Sequence, residues 1–301
     1  MIPTNLLGIV LALTAATAWG SGDFAGGYAT RRNSQYHVLA LSSFSGLLIV
    51  IVAAFFWREA FPSLPGILWA MVAGVSGALG IAIFYRGLSI APAATVAPTA
   101  GVIGAALPVV FAGFTEGLPA PLKLLGFGLA FAGIWLVSAT PSDGQGATFG
   151  QEGTFGQEGT FGQEGTFGRP GFLLACLAGI GFAGFFICIG QVDAGKLFTP
   201  VIIARSVALL TGLVLIKINR LPLPSLSSSP LALLTGVLDV AGNLLYLLAK
   251  QFTRLDIAVV LASLYPAVTV FLSSLIFKEK VSRSQWLGIV ICLAAIGLIT
   301  I

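Results

Sequence analysis

Charge is scarce in this chain: 15 Lys/Arg and 11 Asp/Glu among 301 residues, or 9%, against about 25% in an average soluble domain. A soluble protein of this length could not cover its surface with so few charges. Histidine occurs once, as His37, which rules out a multi-histidine metal site. The three cysteines, Cys176, Cys188 and Cys292, all fall inside apolar runs. Cys176 and Cys188 share one predicted helix and stand about 18 Å apart along it, too far to bridge. No disulfide framework or zinc spacing is legible, so the thiols read as small apolar fillers. The net charge is only +4 and no cluster of five basic residues exists, which removes nucleic acid from the expected partners. The segment Met1-Ile2-Pro3-Thr4-Asn5 lacks the basic region of a signal peptide, so the first apolar run is expected to remain as a membrane span.

What the chain has in abundance is apolar surface: 57% hydrophobic residues and 38 glycines. Runs near the length that crosses about 30 Å of hydrocarbon occur at 6–27, 37–56, 66–85, 93–114, 122–139, 171–191, 199–217, 230–249, 256–277 and 284–301. They are continuous rather than alternating, unlike barrel strands. Charges gather in the gaps, for example Arg31-Arg32, Arg58-Glu59 and Lys278-Glu279-Lys280. These features predict an all-α membrane protein with ten transmembrane helices.

Between the fifth and sixth runs a polar stretch carries a hexapeptide, Thr148-Phe149-Gly150-Gln151-Glu152-Gly153, repeated from Thr154 and Thr160 and begun again at Thr166. Such a Gly-rich period cannot bury a core and reads as a tether. It divides the chain into a first five-helix repeat (1–139), a linker (140–170) and a second five-helix repeat (171–301). The halves match at an offset of 163 (Gly8/Gly171, Ala12/Ala175, Trp19/Phe182, Glu116/Glu279) and of 162 (Gly74/Gly236, Gly80/Gly242, Phe84/Tyr246, Gly126/Gly288). An odd number of spans per half would insert the second half upside down. That is the inverted-repeat signature of secondary transporters, whose binding site lies between the halves near the midplane.

The chain also resembles the drug/metabolite transporter superfamily, specifically its EamA-type ten-helix exporters. The residues that carry the resemblance are Ala18-Trp19-Gly20, with Phe182-Ala183-Gly184 as a weaker partner, and Tyr265-Pro266 followed by Glu279, Trp286-Leu287-Gly288 and Gly297. The first half departs from the pattern, with Ile103 where the second half has Pro266, and Pro98 and Pro108 instead. The resemblance implies export of a small amphipathic metabolite, such as an amino acid, with both termini in the cytoplasm.

Polar residues inside spans are the candidate site. Asp239 falls at the centre of the eighth run, where a lipid-facing carboxylate would cost at least ~2.5 kcal/mol. Asn243 and Tyr246 follow on the same helical face, which could line a cavity in which Asp239 binds an ammonium group or carries a proton. A structural alternative pairs Asp239 with Arg205, which could instead snorkel to the interface. Asp23 lies one turn after Trp19, either at the cavity mouth or as an interfacial acid. Ser263 and Tyr265 flank the Pro266 region, where Thr269 and Ser273 complete a hydroxyl stripe; Thr95 and Thr99 stack around Pro98, which could open the fourth span similarly. Gly20-Ser21-Gly22-Asp23-Phe24-Ala25 fits a dinucleotide fingerprint but sits within an apolar span; close helix packing is the better account. Glu116 and Glu279 end repeat-related spans and fit helix-end salt bridges with Lys278, Lys280 or Lys123.

These readings converge on a secondary transporter exporting small neutral or zwitterionic metabolites by alternating access. A passive channel-like facilitator and a non-transporting membrane sensor are the alternatives. No paired carboxylates, His cluster or nucleophile–base pair supports an enzyme. No cofactor or metal is expected. The expected partners are a small-molecule substrate and the lipid bilayer, around a monomer in a cell membrane, with the bacterial inner membrane as the expected location. Positive-inside counting puts nine Lys/Arg in odd-numbered loops against five in even-numbered ones and favours external termini; the family resemblance implies the reverse and is preferred.

Overall fold

The structure, a computed structural model, describes residues 4–30, 33–90, 93–138, 169–277 and 283–300. Among these the chain is helical throughout, with no strand: α1 (Thr4–Thr30), α2 (Gln35–Trp57), α3 (Leu64–Ile90), α4 (Ala93–Thr115), α5 (Pro121–Ser138), α6 (Arg169–Gly190), α7 (Phe198–Ile218), α8 (Pro230–Phe252), α9 (Leu255–Ala262), α10 (Tyr265–Phe277) and α11 (Arg283–Thr300). In hydrocarbon every backbone N–H and C=O must be satisfied within its own segment, and a continuous apolar run meets that demand as a helix. Within them lie six stretches long and apolar enough to cross a membrane: Leu6–Thr30, Gln35–Trp57, Leu64–Phe84, Pro170–Gly190, Phe198–Ile218 and Pro230–Phe252. Phe55, Phe56, Trp57, Phe61 and Phe114 point outward at the ends of α2 and α4 and before α3, as aromatic residues do at a membrane–water boundary. The hexapeptide segment and Glu279 lie outside the described residues.

The helices close into a ring. α1 packs on α8, α8 on α2, α2 on α7, α7 on α3, α3 on α6 and α6 on α4. From there α4 meets α5, α5 meets α10 and α11, and α10 returns to α1. Exchanging the halves maps these contacts onto one another. The α1–α8 pair becomes α6–α3, α2–α8 becomes α7–α3, and α4–α6 becomes the α1 packing against α9 and α10.

The exchange holds for single residues. A Cβ at Gly242 would stand 2.5 Å from Cδ1 of Trp19, and one at Gly80 would stand 3.0 Å from Cδ1 of Phe182. A Cβ at Gly74 would stand 2.6 Å from the Ala204 carbonyl oxygen, and one at Gly236 would collide with the Ser42 carbonyl. Small residues are what let these backbones approach. Arg58 and Arg220, 162 residues apart, adopt left-handed φ of 52° and 54° just past α2 and α7.

Two elements differ from expectation. The ninth run is not one helix: α9 ends at Ala262 and α10 begins at Tyr265. Pro266 has no N–H to offer the Ala262 carbonyl, while a proline in the first turn of a new helix loses nothing. The fourth run, by contrast, is unbroken across Pro98 and Pro108. Pro98 falls early in α4, so the carbonyl it leaves free lies near the helix start, and the expected opening around Thr95 and Thr99 does not occur.

Candidate functional site

Three features of the candidate site lie on the helices of the ring. The first is aromatic. Trp19, Phe186 and Tyr246 form a triangle with ring centroids 5.5, 5.8 and 5.3 Å apart, in edge-on and tilted geometries favourable to aromatic pairs. The Tyr246 hydroxyl, fully buried, donates to the Phe186 carbonyl at 3.2 Å. The repeat-related pair, Phe84 and Phe182, packs at 5.7 Å. Trp19 and Tyr246 thus stand together, and the Tyr246 hydroxyl is already engaged.

The second feature is ionic. Arg205 on α7 and Asp239 on α8 form an ion pair, with side chains 11% and 29% exposed. The two helices touch only sparsely, so the ion pair links helices that are not close-packed on each other. Arg205 does not snorkel. Asn243, one turn beyond Asp239, is buried.

The third feature is a set of three unpartnered hydroxyls among the described residues. Some hydroxyls bond their own helix, as Thr14, Thr17 and Ser21 do to carbonyls one turn back at 2.7–3.0 Å, the usual resort in an apolar helix, and others reach a neighbouring helix, as Ser45 and Ser76 do to the Leu233 and Gly181 carbonyls. Ser43 on α2, Thr99 on α4 and Ser263 at the α9–α10 break are buried and have no hydrogen-bond partner. Tyr265, half-buried, begins α10. The side chains of Thr95, Thr269 and Ser273 lie outside the described residues.

The connections at one end of the bundle hold a polar network that sequence reasoning missed. The Glu59 carboxylate, beyond α2, accepts from the amides of Leu197, Phe198 and Thr199 at 2.9–3.1 Å and from the Thr199 hydroxyl. It thereby caps α7, whose own N-cap residue, Leu197, supplies no side-chain bond. Burial alone would raise the Glu59 carboxyl, but the Thr199 hydroxyl and the three amides outweigh it and hold it below the ordinary value. Asp193 accepts from the Ser63 amide (2.5 Å) and hydroxyl (2.8 Å) at the start of α3, bonds that lower its carboxyl.

Glu116 ends α4 and pairs with Lys250 at 3.2 Å, a partner the sequence did not suggest; Lys278 and Lys280 lie outside the described residues. Its carboxylate also accepts from the Leu255 amide at 3.2 Å, while Arg254 donates to the Glu116 and Gly117 carbonyls and pairs with the fully buried Asp256. This network fastens α4 to the α8–α9 corner. The only sequence signal was the recurrence of Glu at 116 and 279, which shows a helix end but not its partner.

Comparison with known proteins agrees with this architecture. An uncharacterized protein from Methanocaldococcus jannaschii is 30% identical over 132 residues, covering 44% of this chain and 93% of that protein. That relative is therefore about the size of one repeat. A crystal structure of another protein superposes with a TM-score of 0.71 over 97% of this chain and 95% of that chain at 17% identity, a likeness of fold. The model of the EamA-like transporter family matches twice, at residues 6–139 and 169–301. These two matches leave out the hexapeptide segment and coincide with the halves that exchange in the packing, and the chain belongs to the EamA-like transporter family, a multi-pass membrane protein of transporter type.

Proposed function

We propose that the protein is a secondary transporter that exports small neutral or zwitterionic metabolites, amino acids or related compounds, by alternating access. In this reading the ten expected spans form two inverted five-helix repeats, α9 and α10 being one interrupted span, and the halves rock about the interior of the ring. The observation that carries it is the repeat-exchanged packing around an interior that holds polar groups unmatched between the halves. Trp19 and Tyr246 would form an apolar wall. Thr99, Asn243, Ser263 and Tyr265, with Thr95 if the first half of α4 faces inward, would supply hydrogen bonds to the cargo. Asp239 and Arg205, already paired, would set the field of the cavity. Among the described residues Arg205 is the one buried Arg, whereas a phosphate or sugar nucleotide would require several cations.

The protein would act as a monomer in a cell membrane, the bacterial inner membrane, with a small-molecule substrate and lipid as its partners. Flux tests this. Purified protein in proteoliposomes, given a pool of amino acids and small amines, should show saturable uptake. Dependence on a pH gradient that disappears in Asp239→Asn would make Asp239 the proton carrier; saturable flux indifferent to both would leave it a positioning residue. Flux that never saturates would identify a channel, and absence of flux for every solute would favour a sensor.

A further inference from the structure

We propose that Asp23 is the carboxylate that receives a cationic ammonium group on the cargo, so that the transported class is ammonium-bearing solutes with an apolar body. The inference rests on the transporter reading above and narrows it. Asp23 is exposed although it lies inside the membrane-spanning stretch of α1. Its direction follows from its neighbours. Leu6, Val10, Thr14 and Thr17 are the exposed residues on the outer face of α1, and at ~100° per residue Asp23 points roughly 135° away from the centre of that face. Gly22 and Gly26 face α8, where a Cβ would meet Leu238 and Thr235, and Gly20 faces α10 at Tyr265 and Val268. Asp23 falls between these two directions, on the side of Trp19. Its exposure is therefore to the interior of the ring and not to lipid.

Its depth is fixed by the packing on α8. A Cβ at Gly22 would stand 3.8 Å from the Asp239 amide nitrogen, so Asp23 and Asp239 lie at one level. Their charges are answered differently. Asp239 is neutralised by Arg205, whereas no cation pairs with Asp23 among the described residues. What stands near Asp23 is the Tyr265 ring, within electrostatic reach, with Trp19 one turn away. Aromatic faces attract an ammonium and add no competing positive charge.

The repeat shows that the fold does not demand these charges. Packing positions recur across the halves, as at Gly80 and Gly242. The charged positions do not: Phe186 stands 163 residues from Asp23, and Gly77 and Ser43 stand 162 residues from Asp239 and Arg205. One half builds the same helices without them. Among the described residues the interior keeps one carboxylate unneutralised, and an ammonium is its complement; the unpartnered Thr99 and Ser263 hydroxyls can serve the polar remainder of a zwitterion.

The test uses the full chain in proteoliposomes and three matched pools analysed by mass spectrometry. These are free amino acids, their amides (ammonium without carboxylate) and their N-acetyl derivatives (carboxylate without ammonium). The wild type should move the first two and exclude the third. Asp23→Asn should raise KM for the transported members at least tenfold, and Asp23→Glu should restore most of the affinity. Elution profile and Tm establish folding; should Asp23→Asn not fold, the pool selectivity and Asp23→Glu still decide. Equal transport of the N-acetyl pool, or wild-type KM in folded Asp23→Asn, overturns the assignment and leaves the transporter reading intact. Absence of saturable flux of any pool overturns both.

Discussion

At the scale of single residues, the ring depends on positions with no room to spare. Gly242→Ala would push a methyl into Trp19 at 2.5 Å, and overpacking of this kind costs about 1–3 kcal/mol. Gly22→Ala meets Leu238 at 3.4 Å, ordinary contact. Thermal melting in detergent should show a large loss for the first and little for the second. The Arg205–Asp239 pair gives a sharper test. Removing one partner of a buried pair costs about 3–5 kcal/mol because the other charge is stranded. Arg205→Gln should therefore destabilise strongly, and adding Asp239→Asn should recover most of the loss. Depth in an apolar run made Asp239 visible in the sequence, and the i+4 and i+7 spacing made Asn243 and Tyr246 visible. Asp23 was ambiguous, because a helix position alone does not say which neighbours it faces. That needed the α1–α8 register, a contact between residues more than 200 positions apart.

At the scale of elements, the helix ends carry the information that the sequence hid. Glu59 caps α7 from the far side of the α2–α3 connection, so no local motif at Leu197 announces it. Its carboxyl is held below the ordinary value. A depressed carboxyl contributes stability above its unfolded value, and loses that contribution as pH falls through the folded one. Glu59→Gln should cost about 1 kcal/mol at neutral pH, the usual scale of a lost cap trimmed by partial exposure. The gap between variant and wild type should close on acidification, as read by Tm against pH.

Glu116 does the corresponding work at the α8–α9 corner. With native cysteines replaced, Leu255→Cys, at a fully buried position, should resist a water-soluble thiol reagent and become reactive when Glu116→Gln is added. Unchanged protection would show that apolar packing alone closes this end. The break between α9 and α10 was foreshadowed by Pro266, yet Pro98 and Pro108 leave α4 whole. Proline reports a missing donor, which does not by itself break a helix, since Pro108 lies in the middle of the unbroken α4.

At the scale of the molecule, the most legible feature was the repeat. Offsets of 162 and 163, read from glycines and aromatics, return as the exchange of contacts across the ring and as the two separate family matches. Pairings within the ring were not legible, since α1 meets α8 rather than its chain neighbour, and membrane helices carry no signal for partner choice beyond small residues. Because the family matches skip the hexapeptide segment, replacing residues 140–168 with a Gly/Ser tether of equal length should leave flux within about twofold, the tether serving only to span the ends.

In the proposed alternating-access cycle, two repeats enclose a cavity reached from one side of the membrane at a time. Counterflow tests it most directly. Proteoliposomes preloaded with an unlabelled amino-acid pool and diluted into trace labelled pool should accumulate label transiently above its equilibrium level, because each returning carrier is occupied by cargo. Label that rises monotonically to equilibrium, at a rate proportional to concentration throughout, would contradict alternating access and make the ring a pore.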